Sequence, residues 1–222
     1  MPAPTILGAF AHPDDETSCF AALMKRYSAE GKDIHIITAT KGEMGALGTG
    51  DVVIKREDLP AVPVAGQHAV LQMLGVTNPP NYLGYRDGDH AAGAAGRHHR
   101  VWPHRALGSR RPHRHAPRNA GGLRTLPQDR HQRGDYYFWA LEKRIIDEFD
   151  LTVDGIEVDP HVTIDVSATW ASKVQALRMY ASQEDAQEIA DMMEMFDDRN
   201  EVFHQIFPPV PASARFDDLF HA

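Results

Sequence analysis

The chain has 222 residues, one cysteine and a formal net charge of -8 at pH 7. This length suits a single α/β domain with a sizeable core, and the lone Cys19 excludes an internal disulfide and favours a cytoplasmic location. The acidic balance argues against nucleic acid as the main partner, and neither a signal-peptide pattern nor an apolar run of about 20 residues that could span a membrane is present.

The first part of the chain predicts strands that alternate with helices. Its predicted elements are strands at 5–11, 33–39 and 80–85 and helices at about 15–30 and within 55–74. The first strand is continuously apolar or small, which is typical of a buried central strand. Gly31 is a natural end for the first helix. Strands alternating with helices favour a parallel sheet joined by right-handed crossovers.

The turn after the first predicted strand carries His12, Asp14 and Asp15 within the sequence Ala-His-Pro-Asp-Asp-Glu. Ligand sites of open α/β sheets lie at the carboxyl ends of strands, and His12 and Asp15 can converge there on one cation. Asp14 then lies beside that cation, where a carboxylate suits a general base acting on bound water. The alternative is an ordinary helix cap, which accounts for one acid but not for a histidine followed by three acids.

The composition changes between residues 88 and 134, an interval with ten Arg, seven His, no Lys and two acids. No helical or strand period can be read in it, and so long an insert without elements is unusual in a compact domain. One hypothesis is a pair of compensating frameshifts, because Arg, Pro, His, Gly and Ala without Lys are typical of a GC-rich frame translated out of phase. The competing interpretation is a basic loop that attracts an anionic substrate.

Regular patterns return after residue 134. The predicted elements are a helix over 136–148, a strand at 161–166, a helix capped by Ser167 that carries Trp170 and Tyr180, and a last helix over about 184–203. The helices are predicted from apolar residues that recur at helical spacing.

These motifs resemble the PIG-L/LmbE family of zinc-dependent N-acetylglucosaminyl deacetylases. The resemblance rests on the stretches 11–16, 38–45, 56–57 and 83–88, and more loosely on 164–177. It implies one deacetylase domain over residues 1–222, with a Rossmann-like, mostly parallel sheet and helices on both faces. It also implies a Zn²⁺ cofactor and a small amino-sugar substrate.

The same resemblance implies roles for single residues. His12 and Asp15 would bind zinc, Asp14 would be the general base, and Arg56 and Asp87 would contact the substrate. Such an enzyme is a hydrolase that releases acetate and a free amino sugar from an N-acetylglucosamine-type amide.

The family takes its third zinc ligand from a second histidine motif beyond the position of Asp87, and this sequence has no such motif there. His131, at the end of Pro-Gln-Asp-Arg-His, lies at about the right distance and is the predicted third ligand. The alternatives are the pair His113 and His115, and also His161, whereas His90 is too close to Asp87.

Three other functions compete with the deacetylase. Loss of the third ligand would leave a catalytically impaired relic or a binding protein on the same scaffold. A dinucleotide-binding domain is disfavoured because the first strand is not followed by Gly-x-Gly-x-x-Gly. A nucleic-acid module built on the Arg-rich interval is disfavoured because Trp102 is its only aromatic residue. The sequence leaves a homo-oligomer open.

Overall fold

The structure is a computed structural model that describes residues 4–45, 55, 61–87, 134–148 and 159–220, together with the backbone of 122–126. Its strands are β1 (Thr5–Phe10), β2 (Asp33–Thr38), β3 (Asn81–Tyr82), β4 (Gly122–Leu126), β5 (Tyr136–Trp139), β6 (Val162–Asp165) and β7 (Asn200–Phe207). Its helices are α1 (Asp15–Ala29), α2 (Ala61–Leu74), α3 (Lys143–Glu148), α4 (Trp170–Met179) and α5 (Glu184–Glu194). The predicted α/β class is confirmed.

The described strands form one seven-stranded sheet in the order β3-β2-β1-β4-β5-β7-β6. β1 pairs in parallel with β2, and β2 pairs in parallel with β3. The other pairings among the described strands are antiparallel. The sheet is therefore mixed, and its parallel pairings lie in the half formed by β3, β2 and β1.

Helices α1, α2 and α4 contact one another, α5 contacts α4, and the four form one layer. α1 lies against β1, β2 and β7, and its Phe20 meets Phe203 of β7 edge to face, with ring centroids 6.3 Å apart. α3 lies beside this layer, since Ile145, Trp170 and Met193 line one cavity. The second helix layer predicted for the other face of the sheet is not found among the described residues. None of the described helices is long and apolar enough to cross a bilayer.

α1 forms where the sequence predicts it. The residues that the prediction assigned to its apolar face are all buried: Cys19, Phe20, Leu23, Met24 and Tyr27. The helix ends before Gly31, whose φ of +76° is readily adopted only by glycine. The N–H of Lys32 donates to the carbonyl of Tyr27, which closes the end of the helix.

A buried ion pair fixes α1 and α4 to the sheet. Nζ of Lys173 in α4 lies 2.7 Å from Oε1 of Glu201 in β7, and both side chains are buried. The Glu201 carboxylate also accepts hydrogen bonds from the backbone N–H groups of Ala22 and Leu23, at 3.2 and 2.9 Å. One carboxylate therefore joins the middle of α1, a strand and a second helix.

The prediction of a single helix over 136–148 is wrong. Residues 136–139 form β5, and the helix α3 begins only at Lys143. Four consecutive aromatic residues favour a strand, and their burial alternates, with Tyr137 and Trp139 buried and their neighbours less so.

Three further predictions about local structure are also wrong. The last helix was predicted to run to about residue 203, but α5 ends at Glu194 and β7 begins at Asn200. The interval 88–134, in which no strand period could be read, contains β4. Ser167 does not cap α4: its N–H donates to Oδ1 of Asp165 at 2.8 Å, and the helix follows Thr169.

Candidate active site

The turn that joins β1 to α1 holds the three predicted site residues at the carboxyl end of a parallel strand. The turn is fixed to the end of β2, because the N–H groups of Ala39 and Thr40 donate to the carbonyls of Phe10 and Ala11, both at 2.9 Å. Hydroxyl Oγ1 of Thr40 also donates to the carbonyl of Ala11, at 3.0 Å. His12, which comes next, therefore projects from a backbone that two strands hold in place.

Asp14 has an unusual backbone conformation, with a φ of +120°. A non-glycine residue in such a region costs about 1–3 kcal/mol, so the surrounding structure must hold it there. Burial raises the pKa of its carboxyl group well above the usual range, the charges of Asp15, Asp185 and Glu16 raise it further, and His12 lowers it. In the part of the chain that the structure describes, no group donates a hydrogen bond to the Asp14 carboxylate. The carboxylate oxygens of Asp14 therefore have no hydrogen-bond donor among the described residues.

Asp15 is held by the turn itself. Its Oδ2 accepts hydrogen bonds from the backbone N–H groups of Ala11 and His12, at 3.2 and 2.9 Å. The same oxygen lies 3.6 Å from Nδ1 of His12. The carboxylate and the imidazole are therefore fixed side by side, as the spacing of the motif predicts.

His12 lies between two carboxylates. Its Nε2 is 3.1 Å from Oδ1 of Asp87, and the His12 side chain is 22% exposed. Burial alone would lower the pKa of His12, but the hydrogen bonds and charges of Asp15 and Asp87 raise it to about 10. Without a metal, the imidazole is therefore protonated at neutral pH.

Asp87 arrives from the segment that follows β3. Its Oδ2 accepts the backbone N–H of Met44 at 3.0 Å, so it connects the loops after β2 and β3 to the turn after β1. The side chains of Met44, Leu83 and Tyr85 on these loops are more than half exposed. The structure thus brings Asp87 to the site, on the imidazole of His12, while its predicted contact with substrate stays a prediction.

Sequence reasoning missed a buried polar network behind the turn, centred on Glu16. Its Oε2 accepts the backbone N–H of Asp14 at 3.1 Å and Nε2 of Gln67 at 2.7 Å, while Oε1 accepts the hydroxyl of Tyr180 at 3.0 Å. Burial raises the pKa of Glu16, and its hydrogen bonds act against this. A signal was present, because Glu16 shares a helix face with Phe20 and Leu23, which are buried.

Several predicted site residues lie outside the described residues. These are Arg56, His131, His113 and His115. The described residues contain no group of three His, Cys, Asp or Glu side chains that could hold a metal ion. The prediction of His131 as a third zinc ligand is therefore not tested by the described residues.

His161 is not brought to the site, so this alternative for the third ligand is wrong. It precedes β6 at the edge of the sheet, separated from β1 by β4, β5 and β7. The antiparallel pairings make β6 point the same way as β1, so a residue before β6 and a residue after β1 lie at opposite ends of the sheet. The ring of His161 instead packs on that of His204, with centroids 4.2 Å apart.

The donor set of the turn fits part of a zinc site. Imidazole nitrogen and carboxylate oxygen are both zinc ligands, and two such ligands of one tetrahedral ion lie roughly 3.4 Å apart. The distance of 3.6 Å between Nδ1 of His12 and Oδ2 of Asp15 is close to that separation. The two side chains can thus share one ion with little movement, and Asp14 lies between them in the sequence.

Comparison with known proteins points to one family. The model of the PIG-L family, described as GlcNAc-PI de-N-acetylase, matches residues 7–120. A 1D-myo-inositol 2-acetamido-2-deoxy-alpha-D-glucopyranoside deacetylase of Mycolicibacterium gilvum is 37% identical over 89 residues, 38% of this chain and 31% of the relative. A mycothiol S-conjugate amidase of Streptomyces coelicolor is 35% identical over 86 residues, 37% of this chain and 28% of the relative. The match thus spans about a third of these relatives' length.

Solved structures show the same fold. The hydratase GalB of Pseudomonas putida KT2440, which acts on 4-carboxy-2-hydroxymuconate, superposes with a TM-score of 0.57 at 13% identity, over 95% of this chain and 98% of that one. The conserved protein TT1542 of Thermus thermophilus superposes with a TM-score of 0.51 at 18% identity, over 92% and 95% of the two chains. At such identities the likeness concerns the fold alone.

Proposed function

We propose, because the chain belongs to the PIG-L family of GlcNAc-PI de-N-acetylases, that it hydrolyses the acetamido group of an N-acetylglucosamine-type substrate in a zinc-dependent reaction. The observation that carries the proposal is the geometry of the turn. His12 and Asp15 lie side by side, and Asp14 adjoins them with a carboxylate that no described group hydrogen-bonds. A cytoplasmic location, consistent with the single, buried Cys19, belongs to the same proposal.

His12 and Asp15 would hold the zinc ion, with His131 as the proposed third ligand. When bound, the ion would polarise the acetyl carbonyl and lower the pKa of a water molecule. Asp87 would hold the imidazole of His12 in orientation through its contact with Nε2. Arg56 and the loops after β2 and β3 would bind the sugar.

Asp14 would carry the proton transfers. Its carboxylate would accept a proton from the attacking water while the new C–O bond forms at the amide carbon. It would then donate that proton to the nitrogen as the C–N bond breaks. The products are acetate and the free amino sugar. The raised pKa of Asp14 makes its carboxylate a stronger proton acceptor than an ordinary aspartate.

The experiment is elemental analysis of the purified protein after dialysis against a weak chelator, together with a hydrolysis assay. The assay measures free amine released from N-acetylglucosamine and from its α-glycoside with myo-inositol. About one zinc per chain with amine release supports the proposal, and the variant His131→Ala then tests the third ligand. His12→Ala should lose both zinc and activity.

The alternative is a relic or binding protein on the same scaffold. A folded protein that retains no zinc and releases no amine, even with added zinc, would refute the deacetylase and favour this alternative. The coding DNA gives an independent test of the frameshift hypothesis. If neither other frame of the interval 88–134 encodes a His-x-x-His motif, that hypothesis is wrong.

A further inference from the structure

We propose that Glu16 is a positioning residue that holds the peptide of Asp14 in its strained conformation and so sets the direction of the Asp14 carboxylate. The inference rests on the proposed function only where it concerns turnover. Its structural part, a hydrogen bond between the Asp14 N–H and the Glu16 carboxylate, can be tested without any activity.

The Asp14 peptide is held on both sides. Its N–H donates to Oε2 of Glu16 at 3.1 Å, and its carbonyl accepts the N–H of Thr17 at 2.8 Å and of Ser18 at 3.3 Å. The carbonyl contacts are the ordinary first bonds of α1 and would form with the residue before a helix in many conformations. The N–H contact is specific, because it forms only when the Asp14 N–H is directed at the side chain of Glu16, two residues further along the chain.

Glu16 is itself immobilised by two residues from other parts of the chain. Nε2 of Gln67 in α2 donates to its Oε2 at 2.7 Å, and the hydroxyl of Tyr180, which follows α4, donates to its Oε1 at 3.0 Å. Gln67 is fixed in turn by Thr38 of β2 and Tyr82 of β3, whose hydroxyl donates to Oε1 of Gln67 at 2.6 Å. A fully buried carboxylate with these partners has one orientation.

The need for a hydrogen-bond acceptor for the Asp14 N–H explains why an ionisable residue, Glu16, is buried here. Glu16 is completely buried, and burying an ionisable group is unfavourable unless it is paired or hydrogen-bonded. Packing alone could be met by an apolar residue of the same volume. An apolar side chain, however, would remove the acceptor of the Asp14 N–H, and the positive φ of Asp14 would lose this support.

Two substitutions separate the acceptor from the charge. In Glu16→Gln the amide oxygen can replace Oε2. The NH₂ group then takes the place of Oε1, which accepts the hydroxyls of Tyr180 and Thr17, both at 3.0 Å, and can donate to them once the hydroxyls rotate. In Glu16→Met the volume is kept and the acceptor is lost. Tyr180→Phe is the matched control, because it removes a bond to Oε1 and leaves the contact between Oε2 and Asp14 intact.

The first readout is amide hydrogen exchange of the full chain, resolved at Asp14 by NMR. In the wild type we expect the Asp14 amide to exchange as slowly as amides within α1, although it precedes the helix. We expect Glu16→Gln and Tyr180→Phe to keep this protection and Glu16→Met to lose it, with exchange on the order of tenfold faster or more. Exchange of the wild-type amide at the rate of an unstructured peptide would overturn the proposal, even if Glu16→Met does not fold.

The second readout is steady-state hydrolysis. For Glu16→Met we expect kcat to fall about 10²-fold, the effect of a misplaced catalytic group, with a much smaller change in KM. In the separate variant Glu16→Gln, kcat should stay near the wild-type value. Equal losses of kcat in Glu16→Gln and Glu16→Met would overturn the proposal, because the acceptor would then not be what matters. If the wild type releases no amine, the proposed function fails, while the exchange measurement still decides the role of Glu16.

Discussion

Nε2 of His12 lies 3.1 Å from Oδ1 of Asp87, although the two residues are 75 positions apart in the chain. Asp87 also accepts the N–H of Met44, so its carboxylate is fixed before it meets the imidazole. A carboxylate that orients a ligating histidine is a common partner of metal sites. Under the proposed function, this contact would make Asp87 a partner that orients the zinc-binding histidine.

The variant Asp87→Asn tests that role. We expect the affinity for zinc to fall about 10- to 100-fold, because the amide holds the imidazole more weakly than the carboxylate does. Competition with a chromophoric chelator measures this affinity. Asp33→Asn is a matched control, since Oδ2 of Asp33 lies 2.9 Å from Nε2 of His35 in an equivalent pair within β2. A raised KM with unchanged zinc affinity would instead support the direct substrate contact.

The protonation of His12 predicts a pH dependence of stability. Its pKa in the folded, metal-free protein is raised from 6.5 to about 10 by Asp15 and Asp87 against the effect of burial. The resulting stabilisation is complete below about pH 6.5 and is lost as the pH rises towards 10. We therefore expect the free energy of unfolding of metal-free wild type to exceed that of His12→Gln by an amount that shrinks over this range. Urea denaturation at several pH values measures it, and a constant difference would contradict the prediction.

Asp14→Asn should keep zinc but lose turnover. Loss of a general base lowers kcat by about 10²- to 10⁴-fold, while His12 and Asp15 are unchanged. Zinc content and kcat are measured on the same preparation. Normal turnover in Asp14→Asn would remove Asp14 from the role of base.

Asp185→Asn is the matched control for Asp14, because Asp185 is an exposed acid at the start of α5 whose charge raises the pKa of Asp14. Removing that charge lowers the pKa of Asp14. We expect turnover to persist and the acidic limb of the pH–rate profile to move to lower pH. A limb that moves to higher pH would show that the two acids do not interact in this way.

The pair of Lys173 and Glu201 predicts a large effect on stability. Lys173→Met leaves the buried Glu201 carboxylate without its cation, which costs about 3–5 kcal/mol. The double variant Lys173→Met with Glu201→Gln should recover part of this loss, because the amide carries no charge. Chemical denaturation measures both variants, and a loss below about 1 kcal/mol for Lys173→Met would show that the carboxylate finds other compensation.

The sequence predicted β1, α1 and β2 to within a residue, whereas β3 is shorter than the predicted strand at 80–85. Local signals are strong there: an apolar strand, a periodic helix face that includes Phe20 and Leu23, and a glycine that ends the helix. It failed at β5 and at β7. Phe196 and Phe203 continue the helical spacing of α5, although α5 ends at Glu194 and Phe203 lies in β7. Here pairing between distant strands decides the structure.

Contacts between distant residues were predicted only partly. The resemblance assigned His12 and Asp87 to one site, but it did not predict their contact with each other. The links from Glu16 to Gln67 and Tyr180 were not foreseen, because a single buried acid in a helix gives no indication of its partners. Such partners become visible only when α2 and α4 pack beside α1.

The contact of Glu201 with the middle of α1 divides the site into two parts with different tolerance for change. The carboxylate fixes the helix that begins at Asp15, directly after Asp14, so the part of the site proposed for hydrolysis is built into the framework of the sheet. The loops that present Met44 and Tyr85 expose much of their side-chain surface and bear little of the core. We therefore expect substitutions in these loops to change the substrate preference without disturbing the turn that carries Asp14 and Asp15.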